Sequence, residues 1–253
     1  MKDKMFWLED YKTTVWHFPN DYPTRDPIHG VGNYPGRFAP SIPRLLIKKY
    51  SRENDLIIDP FVGSGTTAVE AKKANRNFIG MDINPEAIKL TEKKLALINT
   101  KPNQICKVIL ADAKKLFLEE NSVDLIITSP PFFNLIKFNE SEYCLSNAKN
   151  LDEYKKQLTF CFEEMNRVLK KEKWCCIVIS DSIKGWNFYP LGYHIQSILE
   201  KVGFTIQRVI IHIQSRTDSF LFGNDKVKDK VLERGLFLIA HEYIILSQKK
   251  NLL

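Results

Sequence analysis

The chain has 253 residues, 44% of them hydrophobic and 26% charged, with a formal net charge of +7 and a pI near 9.0. That length buries a full core as one α/β domain without requiring a second, and the composition excludes a disordered or fibrous chain. Five cysteines with no Cys-x-x-Cys pair and no zinc-spaced histidine exclude a disulfide framework and a structural zinc site, and no apolar run approaches the ~18 residues that span a membrane.

The polar start Met1-Lys2-Asp3-Lys4 is no signal peptide, and with an odd cysteine count it predicts a reducing, cytoplasmic location. Residues 1–40 read as an irregular arm. Pro19, Pro23, Pro27, Pro35 and Pro40 forbid a long helix, and Trp7, Trp16, Phe18, Tyr22 and Tyr34 are too many aromatics for a disordered tail. The arm therefore packs on the core or covers a site. A core over 41–249 follows, opening with a helix over 42–50 that has Ser41 as its N-cap. Strands are predicted at 56–59, 77–81, 106–110, 123–128, 174–180, 205–213 and 241–248, and helices at 66–75, 85–98, 152–170 and 190–202. Alternation of this kind predicts a Rossmann-like, seven-stranded, mostly parallel sheet with helices on both faces. The last two strands, with no helix between them, predict an antiparallel strand at one edge. Lys72-Lys73, Lys93-Lys94 and Lys170-Lys171 read as solvated helix faces, so the net charge favours a polyanionic partner without identifying one. Cys175 and Cys176, inside the apolar run 174–179, read as packing residues. Residues 133–150 and 214–236 are the two loosest stretches, and loops of that length are often functional.

Two strings carry chemistry. The first, Asp59-Pro60-Phe61-Val62-Gly63-Ser64-Gly65-Thr66-Thr67, follows the strand at 56–59. Its glycines let the turn close and a ligand approach the backbone, and the helix opening near Thr66 aims unpaired N–H groups at a carboxylate. Asp82, at the end of the next strand, is placed to accept ribose hydroxyls, and Asp112, followed by Ala113, to accept from an adenine amine. Phe61 falls in the crevice at the carboxyl ends of the strands. Two alternatives stand beside this reading: the turn also satisfies a loose dinucleotide pattern with Asp82 as its acid, and Asp112 also suits a helix cap.

The second string is Thr128-Ser129-Pro130-Pro131-Phe132, after the buried strand at 123–128. An exocyclic base amine is a poor nucleophile because its lone pair is delocalised into the ring. Acceptors aimed at its N–H groups localise that lone pair and stabilise the positive charge that develops on nitrogen. Ser129 Oγ and the Pro130 carbonyl supply such acceptors, Pro130 and Pro131 fix the backbone, and Phe132 offers a face on which a flipped base stacks. Together the strings predict methyl transfer from S-adenosylmethionine to a base amine.

These residues resemble the amino-methyltransferases that modify cytosine N4 or adenine N6 in DNA. Asp59–Thr67 looks like that family's cofactor motif, and Thr128–Phe132 like its catalytic motif in the Ser-Pro-Pro-aromatic form frequent in cytosine-N4 enzymes. Tyr34-Pro35-Gly36-Arg37-Phe38 and Ile42-Pro43-Arg44 resemble the segment that closes over the methionine end of the cofactor, Gly80–Pro85 the second strand with its ribose acid, and Ser180-Asp181 a later core strand. The resemblance, over 13–249, implies a single methyltransferase domain whose cofactor contacts are Phe38, Ile42, Asp59, Pro60, Phe61, Gly63, Ser64, Gly65, Thr66, Thr67, Asp82, Ile83, Asp112 and Ala113, with Ser129, Pro130, Pro131 and Phe132 catalytic and no metal. The expected partner is double-stranded DNA, with a cognate restriction endonuclease or a recognition partner and the oligomeric state left open. Two departures are visible: the cofactor motif precedes the catalytic motif, the reverse of many Ser-Pro-Pro enzymes, and no separate target-recognition domain is evident. Arg216, Lys226, Lys228, Lys230 and Arg234 are candidate phosphate contacts, offset by Asp218, Asp225, Asp229 and Glu233. Methylation of RNA and a non-catalytic binding subunit are the rival readings.

Overall fold

A computed structural model gives the fold and describes residues 11–18, 21, 26–32, 34–133, 144–184, 187–214, 232–235 and 237–250. The arm supplies a short strand β1 (Val15–His17) and a helix α1 (Pro27–Gly30). The core continues with α2 (Ser41–Tyr50), β2 (Leu56–Asp59), α3 (Thr66–Lys73), β3 (Asn77–Asp82), α4 (Pro85–Ala96), β4 (Cys106–Leu110), β5 (Val123–Thr128), α5 (Leu151–Val168) and β6 (Leu169–Ile179). A small hairpin of β7 (Ser182–Lys184) and β8 (Asn187–Tyr189) leads to α6 (Leu191–Lys201), β9 (Phe204–Ile213) and β10 (His241–Lys249). The candidate phosphate contacts Arg216, Lys226, Lys228 and Lys230 and most of the 133–150 loop lie outside the described residues.

The main sheet has eight strands in the order β1-β9-β10-β6-β5-β2-β3-β4. All seven expected strands are present, and β1 is an eighth that three residues are too few to announce. β10 runs antiparallel to both β6 and β9, and β1 pairs parallel with β9. The antiparallel strand is therefore internal rather than at the edge, because β9 pairs with its other side, and β1 in turn covers the outer flank of β9. Trp16 on β1 is buried, and its ring sits 6.0 Å from Tyr11 and 5.9 Å from Phe18. This part of the arm packs on the core, as its aromatic content predicts.

Period-two alternation builds a core on each face. Ile57, Leu125, Ile127, Cys176, Val178 and Ile244 point to the face covered by α2 and α3, while Ile58, Ile126, Cys175, Ile177, Ile179 and Ile245 point to the face covered by α5 and α6. Both cysteines are thus packing residues. Helix starts follow local chemistry: Asn84 caps α4 by accepting from Glu86 N–H at 3.0 Å, and Asn150 caps α5 by accepting from Glu153 N–H at 2.9 Å. Ser41 is not the cap of α2. Pro40 takes that place, and Ser41 N–H donates instead to Asp21 Oδ2 at 2.6 Å. The lysine pairs also depart from expectation. Lys72 is buried and caps the last turn of α4 through the Leu95 carbonyl at 2.8 Å, Lys94 is fully buried, and Lys170 lies on β6, where it pairs with Asp124.

The end of β6 is locked to α6 and β10 through Asp181, which accepts from Gly192 N–H and from Tyr243 Oη, each at 3.0 Å. A Cβ on Gly192 would lie 2.5 Å from Tyr243 Cδ2. Gly192→Ala raises helix propensity, yet it pushes a ring that Asp181 holds in place. We expect it to destabilise the protein by about 1–3 kcal/mol in chemical denaturation; unchanged or increased stability contradicts this account of the packing.

Candidate active site

Parallel pairing brings the carboxyl ends of β2, β3 and β5 side by side, with Ile57 opposite Leu125 and Asp59 opposite Gly80. Both sequence strings leave the sheet at this edge, where α/β proteins place their ligands. They border one open cleft of about 880 Å³. Of the residues marked in the sequence, Phe38, Pro60, Phe61, Gly63, Ser64, Thr66, Asp82, Ile83, Asp112, Ala113, Ser129, Pro130, Pro131 and Phe132 line it. Ile42, Asp59, Gly65 and Thr67 do not. Ile42 is fully buried in the core on the α2 side, Gly65 and Thr67 shape the start of α3, and Asp59 lies beneath the cleft floor. The lining also includes Val62, which lies within the first string but is assigned no contact there, and Cys144, Leu145 and Cys161, which no motif marks.

The Gly63–Gly65 turn is held from three sides. Val62 N–H donates to the Met81 carbonyl at 2.8 Å, Gly63 N–H donates to Asp82 Oδ2 at 3.0 Å, and Thr91 Oγ1 donates to the Gly63 carbonyl at 3.1 Å. Gly65 has φ of 78°, and a Cβ there would lie 2.7 Å from Thr91, so both conformation and space require glycine. No side chain caps the start of α3, which leaves its first N–H groups available to an anion. Asp82 accepts Gly63 N–H on one oxygen and Asn84 N–H on the other at 2.9 Å, and each oxygen keeps acceptor capacity toward the cleft. Burial raises its pKa, against these backbone bonds. Tyr34, across the Gly63 turn, has its hydroxyl pKa raised by burial and by the Asp82 carboxylate. Asp112 lines the cleft, and its Oδ1 also accepts from Lys114 N–H at 2.9 Å, which caps a turn rather than a helix.

Tyr154, unmarked in the sequence, secures the second string. It is fully buried on α5, and its hydroxyl donates to the Pro131 carbonyl at 2.8 Å. Phe133 then packs against Tyr154 at 5.5 Å and edge-on to Tyr189 of the β7–β8 hairpin at 5.0 Å. Prolines limit the loop's torsions, but this hydrogen bond sets its direction. In sequence, Tyr154 is one apolar position in an amphipathic stripe with Leu158, Phe162 and Met165, and nothing there announces the hydroxyl's partner.

Asp59 links the strings below the cleft. Its Oδ1 accepts from Thr128 Oγ1 at 2.5 Å and from Phe61 N–H at 3.1 Å. Burial pushes its pKa to about 6 from an ordinary 3.8, against those hydrogen bonds. Because the folded value is raised, the protonated form contributes stability that is complete below about pH 4 and lost as pH rises through about 6. Asp59→Asn keeps an acceptor for Thr128 without the charge. We expect it to be more stable than the parent by about 2–3 kcal/mol at pH 8 and to lose the decline between pH 4 and 6 in denaturant titrations. An equal decline in both proteins removes Asp59 as its source.

A family model described as "DNA methylase" matches residues 4–93, and one described as "Methyltransferase domain" matches residues 51–217. The type II methyltransferase M.MjaII of Methanocaldococcus jannaschii is 30% identical over 145 residues, which is 57% of this chain and 24% of that protein. A tRNA (guanine(10)-N2)-dimethyltransferase of Methanothermobacter thermautotrophicus is 31% identical over 117 residues, 46% of this chain and 32% of that protein. The chain thus spans a third or less of the length of these relatives. A SAM-dependent methyltransferase of Methanosarcina mazei superposes with a TM-score of 0.54 at 17% identity, covering 81% of this chain and 97% of that one. No helix among the described residues is long and apolar enough to cross a membrane.

Proposed function

The chain belongs to the methyltransferase-domain family, and from that membership we propose that it transfers a methyl group from S-adenosylmethionine to an exocyclic amine of a base in double-stranded DNA, cytosine N4 before adenine N6. The observation that carries the proposal is the convergence of the Gly63–Gly65 turn, Asp82 and the Ser129–Phe132 loop on one cleft. The residues fit the cofactor. Uncapped N–H groups of α3 and the backbone of the Gly63 turn suit the methionyl carboxylate, Asp82 retains acceptor capacity for ribose hydroxyls, and Asp112 faces the same cleft to receive the adenine amine. When bound, S-adenosylmethionine supplies an electrophilic methyl group.

The chain's own part is to prepare the amine. Ser129 Oγ and the Pro130 carbonyl accept its two N–H bonds, which draws the nitrogen toward tetrahedral geometry and disperses the positive charge that grows on it. Tyr154 holds the Pro131 carbonyl away from the reacting nitrogen and so orients the peptide that presents the Pro130 carbonyl. Phe132 stacks on the extruded base. Asp59, the buried carboxyl with a pKa of about 6, does not line the cleft and is not a base for the reaction; the amine gives up its proton to solvent after transfer. The setting we propose is a restriction–modification pair in the cytoplasm, in keeping with five free cysteines, a DNA methylase match and a type II relative. The similarity to a tRNA guanine-N2 enzyme favours one second reading, an amine on an RNA base.

Nucleoside mass spectrometry on DNA from cells producing this chain tests the reading. N4-methylcytosine that disappears with Ser129→Ala is the expected result; N6-methyladenine moves the target to adenine, and a methylated base confined to RNA overturns the DNA assignment. In purified protein, Ser129→Ala should lower kcat about 10²–10³-fold and leave cofactor Kd unchanged, because the serine's proposed role is to accept from the substrate amine. Tyr154→Phe should lower kcat by a smaller factor, about tenfold, with little change in cofactor Kd. A collapse of cofactor binding in either variant contradicts the assigned roles.

A further inference from the structure

Tyr34, Pro35, Gly36, Arg37 and Phe38 form one wall of the cleft although they belong to the arm, far in sequence from the sheet. Tyr34 is hydrogen-bonded to Asn84, and the hydrogen bonds from the segments on either side of the strap converge on Glu70. Glu70 lies on α3, four residues and thus one turn after Thr66, which itself lines the cleft. Its side chain is only 3% exposed. Oε1 bonds to His29 Nε2 of α1 at 2.8 Å, and Arg44 of α2 binds both oxygens, through Nε at 2.8 Å and Nη2 at 3.1 Å. His29 and Arg44 flank the strap on its two sides. The strap itself is tied in by Arg37, whose Nη1 donates to the His29 carbonyl at 3.0 Å. Asp26 caps α1 through Ile28 N–H and pairs with Lys73 on α3.

Burial alone would raise the Glu70 pKa, but the bonds from His29 and Arg44 outweigh it and hold the carboxyl below its ordinary value. The group is an anion with strong donors on both oxygens, the kind of buried pairing whose loss is costly. Asp26, His29 and Glu70 bring ligand atoms within 4.8 Å of one another, a spacing that also suits a metal ion. Lys73 and Arg44 already hold the two carboxylates, so the cluster reads as an ion-pair fastening.

We propose that Glu70 is the clasp by which the helix behind the cofactor turn holds the Tyr34–Phe38 strap over the cleft, so that retention of the cofactor depends on a residue that never touches it. This rests on the reading of the cleft as a cofactor site. Glu70 is a positioning residue: breaking the clasp should raise the cofactor's dissociation rate and leave the chemical step intact, since the Ser129–Phe132 loop is anchored independently through Tyr154.

The test uses the full chain with Glu70→Gln and Arg44→Lys. Arg44→Lys keeps the charge but loses the two-point fork, and it serves if Glu70→Gln folds poorly. Two measurements are made. In the free protein, amide hydrogen exchange of residues 34–38 should accelerate about tenfold while exchange in β5 is unchanged. With S-adenosylhomocysteine as the probe, Kd in calorimetry should rise about tenfold through faster release, and kcat at saturation should stay within about twofold. Faster strap exchange with weaker binding supports the proposal. Unchanged exchange in the strap, or a fall in stability with Kd unaltered, overturns it. If the parent protein fails to bind the probe, the cleft reading falls and the retention role falls with it, while the exchange data still report whether Glu70 fastens the strap.

Discussion

The Thr128 hydroxyl donates to the Asp59 carboxyl at 2.5 Å, and the rest of the site depends on that contact. β2 and β5 are neighbours in the sheet although about seventy residues of chain separate them. Their parallel pairing, Ile57 against Leu125 and Ile58 against Ile126, brings both strand ends to one edge, and the Thr128–Asp59 hydrogen bond ties the two exits together. The Gly63 turn departs upward from Asp59 and the Ser-Pro-Pro loop from Thr128, so a ligand in one is presented to a ligand in the other. The cost is a carboxyl held in the interior, where burial favours its protonated form.

The strap at 34–38 and the Ser-Pro-Pro loop are anchored from opposite faces of the sheet. On the α2–α3 side, Glu70 ties the arm's strap to the helix behind the cofactor turn. On the α5–α6 side, Tyr154 ties the Pro131 carbonyl to α5. Neither anchor reaches across the sheet, and the strands between them are packed on both faces. The strap and the Ser-Pro-Pro loop can therefore be perturbed separately, which a site built on a single loop would not allow.

The sequence made the scaffold legible because the scaffold depends on periodicity. Runs such as Leu56–Ile58 and Val123–Ile127 read as buried strands, the caps at Asn84 and Asn150 are local, and the turn chemistry of Gly63–Gly65 is written in adjacent residues. What escaped depends on partners distant in the chain. β1 is three residues whose pairing exists only once β9 is in place. Lys72, Lys94 and Glu70 look like the polar face of ordinary helices, yet the arm and neighbouring helices cover them. Ile42 and Asp59, which the resemblance marks as cofactor contacts, lie off the cleft lining, Ile42 in the core on the α2 side and Asp59 bonded to Thr128.

The internal position of β10 bears on where a substrate approaches. With β10 reversed between β6 and β9, β9 ends and β10 begins on the same edge as the Ser129–Phe132 loop, as do the β7–β8 hairpin and the start of α6. Among the described residues this rim exposes large apolar side chains, Phe188 on the hairpin, Tyr193 on α6 and Phe237 before β10. The hairpin also touches the Ser-Pro-Pro loop through Tyr189 and Phe133. Reversing one strand sets the end of β9 and the start of β10 at the edge where the Ser-Pro-Pro loop leaves the sheet, while residues 34–38 of the arm line another wall of the same cleft.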